Sequence, residues 1–306
     1  MMKRAIGIDI GGTKISLGVV NEDGQVEARA KLPTNPRQGF GSAVQRISAA
    51  IGDLLHETHH SVDELAGIGI GCPGPLNPFT GVISNDFTLP TWGGCNIVEA
   101  MRDVFSVPVH LENDADAALV GEAFAGAGGG ASNLVMLTFG TGVGGAALTD
   151  GKIFRGANGE HPEIGHVPID PAGPACYCGL KGCLESIASG TSIGESGKAV
   201  GFADAEEVFA KARANDDQAQ AIVGRAIAAT ATALWTIIHT FLPERVILGG
   251  GVMEAHYDLF AGPLQEVLRK ATLGPSTGMQ LCQARLQNDA GLVGAGFLAI
   301  REDLQK

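Results

Sequence analysis

The chain has 306 residues, 45% of them hydrophobic, and 33 acidic against 21 basic side chains give a net charge of −12. That length suits one large or two medium domains, and the acidic balance argues against general binding to nucleic acid or to anionic membranes. A phosphate ligand is not excluded, because backbone N–H groups hold phosphates without basic side chains.

The 45 glycines form no repeat and cluster at the ends of apolar runs, where backbone turns tightly or approaches a ligand. Three of the six cysteines sit close together, and Cys72, Cys95 and Cys282 are scattered. This is a cytoplasmic pattern, not a disulfide framework; the scattered three are expected to be small buried residues. The N-terminus lacks an apolar stretch long enough for a signal peptide. The most apolar helical stretch, Ala226–Leu242, reads as too short and too polar to span a bilayer, and so as a buried helix.

In chain order, Ala5–Ile10 and Ile15–Val20 predict two strands joined through Gly11-Gly12-Thr13-Lys14. Small residues let the N–H groups of that turn point at a phosphate. Thr13 and Lys14 are then side-chain donors, and Asp9 is placed to orient a metal-bound water. The spacing is not that of a Walker A loop. Ala43–His60 has helical period, Leu65–Gly71 is a short buried strand, and Cys72-Pro73-Gly74-Pro75 is a rigid turn. Asn85 follows in a loop. Ile97–Phe105 predicts a helix and Val107–Leu111 a strand ending in Glu112-Asn113-Asp114. Asn113 and Asp114 suit helix capping as well as a ligand-binding carboxylate at the carboxyl end of a strand.

Leu134–Phe139, then Gly140-Thr141-Gly142-Val143-Gly144-Gly145, then Ala146–Leu148 repeat the strand, glycine turn and strand of the N-terminus. A duplicated hairpin predicts two related lobes with a cleft between them, 1–117 and 118–306, and two glycine turns able to cradle a polyphosphate. Further on, His166 stands ten residues before Cys176, and Cys176, Cys178 and Cys183 fall within eight positions. Three thiolates and one imidazole complete a tetrahedral zinc set with no position open for water, a structural site and not a catalytic one. Buried cysteines or a redox pair are the plainer alternatives, but the spacing, with Gly179 and Gly182 allowing a tight knuckle, favours metal. The loop would carry Glu163, His166 and Glu185, polar groups suited to gripping hydroxyls. Beyond it, Ala203–Ala214, Asp217–Leu242 and Tyr257–Thr272 predict helices. Arg245–Leu248 is a strand running into Gly249-Gly250-Gly251, whose backbone can approach a flat ligand or open a helix. Leu281–Leu286 is a strand, and Gly291–Leu304 a small-residue helix able to pack closely.

These motifs together resemble the ROK family of sugar kinases, in the actin/hexokinase/Hsp70 superfamily, over almost the whole chain and in order. They are Asp9-x-Gly11-Gly12-Thr13-Lys14, Gly71-x-Pro73-Gly74-Pro75, Glu112-Asn113-Asp114-Ala115, Gly140-Thr141-Gly142-x-Gly144-Gly145, Glu163-x-Gly165-His166, the cysteine cluster and Leu248-Gly249-Gly250-Gly251. The resemblance implies an α/β fold of two ribonuclease-H-like lobes, the last helix (about 291–304) returning to the first, with a cleft for Mg²⁺-ATP and a hexose and a structural zinc loop. It implies Asp114 as general base, and Gly74, Asn85, Asn113, Glu163, His166 and Glu185 around the sugar. Asp9, Gly11, Gly12, Thr13, Lys14, Gly140, Thr141, Gly142, Gly249, Gly250 and Gly251 would hold the nucleotide, and a homodimer is implied. The chemistry fits, since phosphoryl transfer depends mainly on positioning and charge stabilisation.

Where the family commonly has Gly before the Glu of its Glu-x-Gly-His motif, this chain has His161-Pro162, which resembles the fructokinase-like branch. The Cys-x-Cys-Gly-x-x-Gly-Cys run resembles the glucokinase and N-acetylhexosamine kinase branches. The balance points to glucokinase, with fructokinase next and N-acetylhexosamine or mannose kinase after it. ROK repressors share the zinc motif but carry an N-terminal DNA-binding domain. Here the first strand starts within five residues of Met1, with no basic helix before it, so that class is disfavoured. An actin-like ATPase without a sugar has no use for the loop from Glu163 to Glu185.

Overall fold

The computed structural model describes residues 2–270 and 278–305. It divides into two compact units: Met1–Gly130 with Asp150–Pro162 and Asn288–Lys306, and Ala131–Thr149 with Glu163–Gln287.

The first unit opens with an antiparallel meander of β1 (Arg4–Ile10), β2 (Lys14–Asn21) and β3 (Val26–Pro33). Nearly every residue of β1 and β2 is buried, as a sheet covered on both faces requires. α1 (Phe40–Thr58) turns Ala43, Ile47, Ile51, Leu54 and Leu55 inward at helical spacing. β4 (Ile68–Cys72) then pairs with β1 in parallel, beginning later than predicted. Three two-residue strands, β5 (Leu76–Asn77), β6 (Val82–Ile83) and β7 (Cys95–Asn96), make a small sheet the sequence did not signal. α2 (Ile97–Phe105) is capped by Asn96, whose side chain accepts the Glu99 N–H at 3.0 Å. β8 (Val109–Asn113) pairs with β4 in parallel, and α3 (Asp114–Ala125) starts at the next residue. The sheet order is β3-β2-β1-β4-β8.

The second unit repeats this plan. β9 (Leu134–Phe139) and β10 (Val143–Thr149) form a hairpin, the second strand longer than predicted because Gly144 and Gly145 are already in register. The chain passes through β11 (Lys152–Ile153), within the segment assigned to the first unit. It returns as α4 (Leu184–Ala188), α5 (Gly190–Lys198), α6 (Ala205–Arg213) and α7 (Asp217–Thr240). β12 (Arg245–Gly249), α8 (Gly251–Lys270) and β13 (Gln280–Gln283) follow. Within this unit the strand order is β10-β9-β12-β13. Each unit therefore holds an antiparallel hairpin with two parallel strands added beside its first strand.

Several expectations need correction. α4 and α5 were not predicted: α4 spans only five residues, and in α5 Gly190, Gly194 and Gly197 depress helix propensity. α8 begins at Gly251, not Tyr257, and His256 breaks it with φ −133° and ψ 15°; Ala271 and Thr272 of the predicted helix lie outside the described residues. The apolar stretch expected to be too short for a membrane belongs to a 24-residue helix long and apolar enough to cross one by length and composition. Its Val223, Ala226, Ala233, Leu234, Ile237 and Ile238 pack into the core of the second unit. Cys72 is buried, but Cys95 and Cys282 are only half-buried.

α9 (Ala290–Ile300) closes the first unit. It approaches β1, β4 and α3 through glycine: an added Cβ would lie 2.2 Å from the Leu292 carbonyl oxygen at Gly7, 1.7 Å from that of Ala295 at Gly69, and 2.4 Å from that of Ala290 at Gly121. A backbone carbonyl cannot rotate away as a side chain can. Gly69→Ala should therefore cost stability at the upper end of roughly 1–3 kcal/mol or beyond it. The urea midpoint is the readout, and an unchanged midpoint would mean that α9 does not pack this way.

Candidate active site

The carboxyl ends of three adjacent parallel strands carry the polar residues of the first unit. Asp9 lies opposite Gly71 across the β1–β4 pair; Gly71 lies opposite Glu112, and Cys72 opposite Asn113, across β4–β8. This is the end of an open α/β sheet where ligands bind. At β1 the chain turns through Gly11 to Lys14, with the Gly11 N–H donating to the Lys14 carbonyl at 2.9 Å. Gly12 is packed so that a Cβ would lie 2.7 Å from the Thr88 methyl. Burial, and then the Asp114 carboxylate nearby, push the Asp9 carboxyl up to about 6, with Lys14 opposing.

At β8 the helix starts without a loop, so Asn113 is both the last strand residue and the cap of α3. Its Oδ1 accepts the Ala115 N–H at 2.8 Å, and Asp114 Oδ1 accepts the same N–H at 2.9 Å. Capping and a ligand role are thus not exclusive here. One carboxylate oxygen anchors the side chain, which stays partly exposed. Asn85 is 1% exposed. Its NH₂ donates to the carbonyls of Pro73 (3.2 Å) and Gly74 (2.6 Å), and its oxygen accepts the N–H groups of Phe87 (3.0 Å) and Thr88 (2.8 Å). Two donors and two acceptor sites are all an amide has, so Asn85 shapes the Gly74 turn with its full capacity.

In the second unit the Gly140 N–H donates to the Gly142 carbonyl at 2.9 Å, and the Gly190 N–H, at the start of α5, to the Gly140 carbonyl at 2.8 Å. Glu185 Oε2 accepts the Val143 N–H at 2.8 Å and leaves no room for a side chain at Gly142, where a Cβ would lie 2.4 Å away. Gly250 has φ +82° and would set a Cβ 2.5 Å from the Phe139 carbonyl oxygen, so only glycine suits it. Gly140, Thr141 and Gly251 border a cavity of about 590 Å³, which Thr191, Lys198 and Glu206 also line. The last three were missed in the sequence: the short helix carrying Thr191 and Lys198 has no apolar stripe that stands out, and Glu206 lies on a predicted helix that no motif marked.

His166, Cys176, Cys178 and Cys183 place their donor atoms within 4.8 Å of one another. His166 Nδ1 is 3.4 Å from Cys176 Sγ, and the sulfurs of Cys178 and Cys183 are 3.6 Å apart. Tetrahedral zinc–thiolate bonds set sulfurs about 3.8 Å apart, so the four side chains fit a zinc ion. The knuckle is held by Cys176 N–H donating to the Leu180 carbonyl at 2.9 Å and by Gly179 at φ +96°. Nδ1 is the nitrogen that faces the sulfurs. Nε2 faces outward, 3.0 Å from the hydroxyl of Tyr177, whose ring stands perpendicular to the imidazole. Burial first, and then the nearby Glu185 and Glu163 carboxylates, push the same hydroxyl's pKa up. His166, Glu185 and Glu163 thus all act on Tyr177, a residue that sequence reasoning did not single out.

The ROK family profile matches residues 5–302. A glucokinase of Thermotoga maritima is 35% identical over 96% of this chain and 96% of its own. An N-acetylmannosamine kinase of Escherichia fergusonii is 33% identical over 98% and 99%. The solved structure of a ROK family glucokinase from Streptomyces griseus in complex with glucose and AMPPNP superposes with a TM-score of 0.77 at 30% identity, covering 97% of this chain and 99% of that one.

Proposed function

This chain belongs to the ROK family, and we propose that it is an ATP-dependent hexose kinase that transfers the γ-phosphoryl group to the primary 6-hydroxyl of glucose. The observation that carries this reading is the Asn113-Asp114 pair at the carboxyl end of β8, electrostatically coupled to Asp9 beside the first glycine turn. A carboxylate so placed can accept the proton of a hydroxyl as that oxygen attacks a phosphoryl group.

In this reading Asp114 is the general base. Asn113, Glu163, His166 and Glu185 hydrogen-bond the sugar hydroxyls, and Asn85 acts through the turn at Gly74. Gly11 to Lys14 and Gly140 to Gly142 present backbone N–H groups to the phosphates, while Gly249 to Gly251 lead to the nucleoside. The half-buried Asp9 carboxylate, repelled by Asp114, suits a cation; Mg²⁺ bound with ATP neutralises phosphate charge. His166, Cys176, Cys178 and Cys183 would hold structural zinc, which fixes the loop carrying the sugar ligands. The functional halves are two ribonuclease-H-like lobes, 1–117 and 118–306, with the last helix, about 291–304, returning to the first. The protein is proposed to work as a cytoplasmic homodimer, on the strength of the family resemblance and the cysteine usage.

The test is ADP release from Mg²⁺-ATP with glucose, mannose, fructose, N-acetylglucosamine and N-acetylmannosamine in parallel. Glucose is expected to give the highest kcat/KM. N-acetylmannosamine is the second sugar to watch, because a relative of that name matches at nearly the same identity. No turnover with any of them would sink the kinase reading.

A further inference from the structure

The stretch 150–162 carries two side chains, Arg155 and His161, for which phosphoryl transfer as described has no use. Both face the acidic end of β8 and the first turn of α3, which hold Glu112, Asp114 and Asp116. Glu112 is 2% exposed. Its Oε2 accepts a hydrogen bond from Arg155 Nη2, and its Oε1 accepts the N–H of Asn113 at 3.1 Å. Glu112 is therefore a bridge. One oxygen holds a guanidinium, and the other holds the peptide N–H one residue before the proposed base.

Arg155 is itself held in place. Its guanidinium carbon lies 5.9 Å from the centre of the Phe79 ring, on the loop after β5. Gly159, at φ +86°, leaves room for the same ring, which a Cβ there would meet at 2.8 Å. The stretch thus ties the loop beyond the Gly74 turn to the end of β8.

The charges argue in the same direction. Asp116 is fully buried, and neither carboxylate oxygen meets a hydrogen-bond partner. Burial first, and then Glu112, hold its carboxyl well above the usual range, which favours the neutral acid. Burial pushes the Glu112 carboxyl up as well, but the half-buried Arg155 guanidinium bonded to it opposes that shift. A buried carboxylate that loses the guanidinium bonded to it either takes up a proton or rearranges toward water. In either case the Asn113 N–H loses its charged acceptor.

We propose that Arg155 is a positioning residue: it clamps Glu112, and through Glu112 fixes the backbone from which Asn113 and Asp114 project. The inference rests on the kinase reading for its kinetic consequence, though not for its structural one.

The test uses the full chain and two variants, Arg155→Met and Arg155→Met with Glu112→Gln. The single variant keeps the apolar stem that covers Phe79 but leaves Glu112 without its cation; the double variant removes the stranded carboxylate as well, so that it remains foldable. We expect Arg155→Met to lower hexose-dependent kcat by about 10–100-fold, the scale of a small displacement of a catalytic group. KM for Mg²⁺-ATP should stay within about twofold, and the double variant should recover about tenfold of the loss. Amide hydrogen exchange across residues 112–115 is read alongside. It should quicken in the single variant and slow again in the double. Should the wild type turn over no hexose, the kinase reading falls, and the exchange data alone decide the clamp. A single variant within twofold of wild type in kcat, or exchange at 112–115 unchanged by Arg155→Met, overturns the proposal.

Discussion

Asp114→Asn should remove about 10²–10⁴-fold of the hexose-dependent turnover while leaving the fold and hexose binding close to wild type. Asn has the same shape and keeps an oxygen for the Ala115 N–H, which Asp114 Oδ1 accepts at 2.9 Å. The cap of α3 survives in any case, because Asn113 accepts the same N–H at 2.8 Å. What is lost is the capacity to take a proton from the attacking hydroxyl. A second consequence separates this account from a purely steric one. The Asp114 charge helps hold the Asp9 carboxyl up at about 6, so the Asp9 pKa should fall in the variant. Carboxyl resonances followed by NMR titration would report it. A variant with more than a tenth of wild-type kcat would remove Asp114 from the role of base.

Loss of the zinc set should have the next largest effect. Purified protein should carry one zinc per chain, and Cys183→Ala or chelation should lower hexose kcat/KM by on the order of 10²-fold. The reasoning runs through the imidazole. His166 Nδ1 faces Cys176 Sγ at 3.4 Å, while Nε2 points the other way, now toward the Tyr177 hydroxyl at 3.0 Å. A metal on Nδ1 therefore fixes the direction of Nε2, the nitrogen left for a sugar hydroxyl. Without metal, four donor groups lose their common anchor, and the loop must rely on a few backbone bonds across the knuckle. Global stability should change much less, because each unit has a large apolar core that excludes the knuckle. Metal analysis and hexose titration check both statements; full activity in metal-free protein would contradict them.

Features that depend on neighbours in sequence were legible there. The histidine and cysteines expected to form a metal set span His166 to Cys183, and their donor atoms do converge. The glycine turns were legible because a strand must precede and follow them, and both hairpins pair as expected. The closing helix was read as small-residued, and Gly291, Gly294 and Gly296 do sit where a Cβ would strike Asp9, Ala117 and Val20.

Features that depend on distant residues were not. Arg155 meets Glu112 across 43 positions; Glu112 stood in a motif, but nothing local marks Arg155 as its partner. In α5 the small residues hide a helix, since the constraint is tertiary: a Cβ at Gly197 would lie 2.4 Å from a Val208 methyl on α6. Asn85 read as a sugar ligand in sequence, but its four hydrogen bonds to the backbone appear only once the chain has folded. Tyr177 was overlooked for the same reason: its partners are set by the direction of His166.

The most direct test of the central claim compares glucose with 6-deoxyglucose as acceptors for Mg²⁺-ATP. The account predicts rapid ADP release and a 6-phosphate product with glucose. With 6-deoxyglucose, which keeps the other hydroxyls but lacks the attacking one, it predicts no ADP release above background and competitive inhibition against glucose. Equal ADP release with either sugar, or with none, would mean that water is the acceptor, and that the chain is an ATPase and not a hexose kinase.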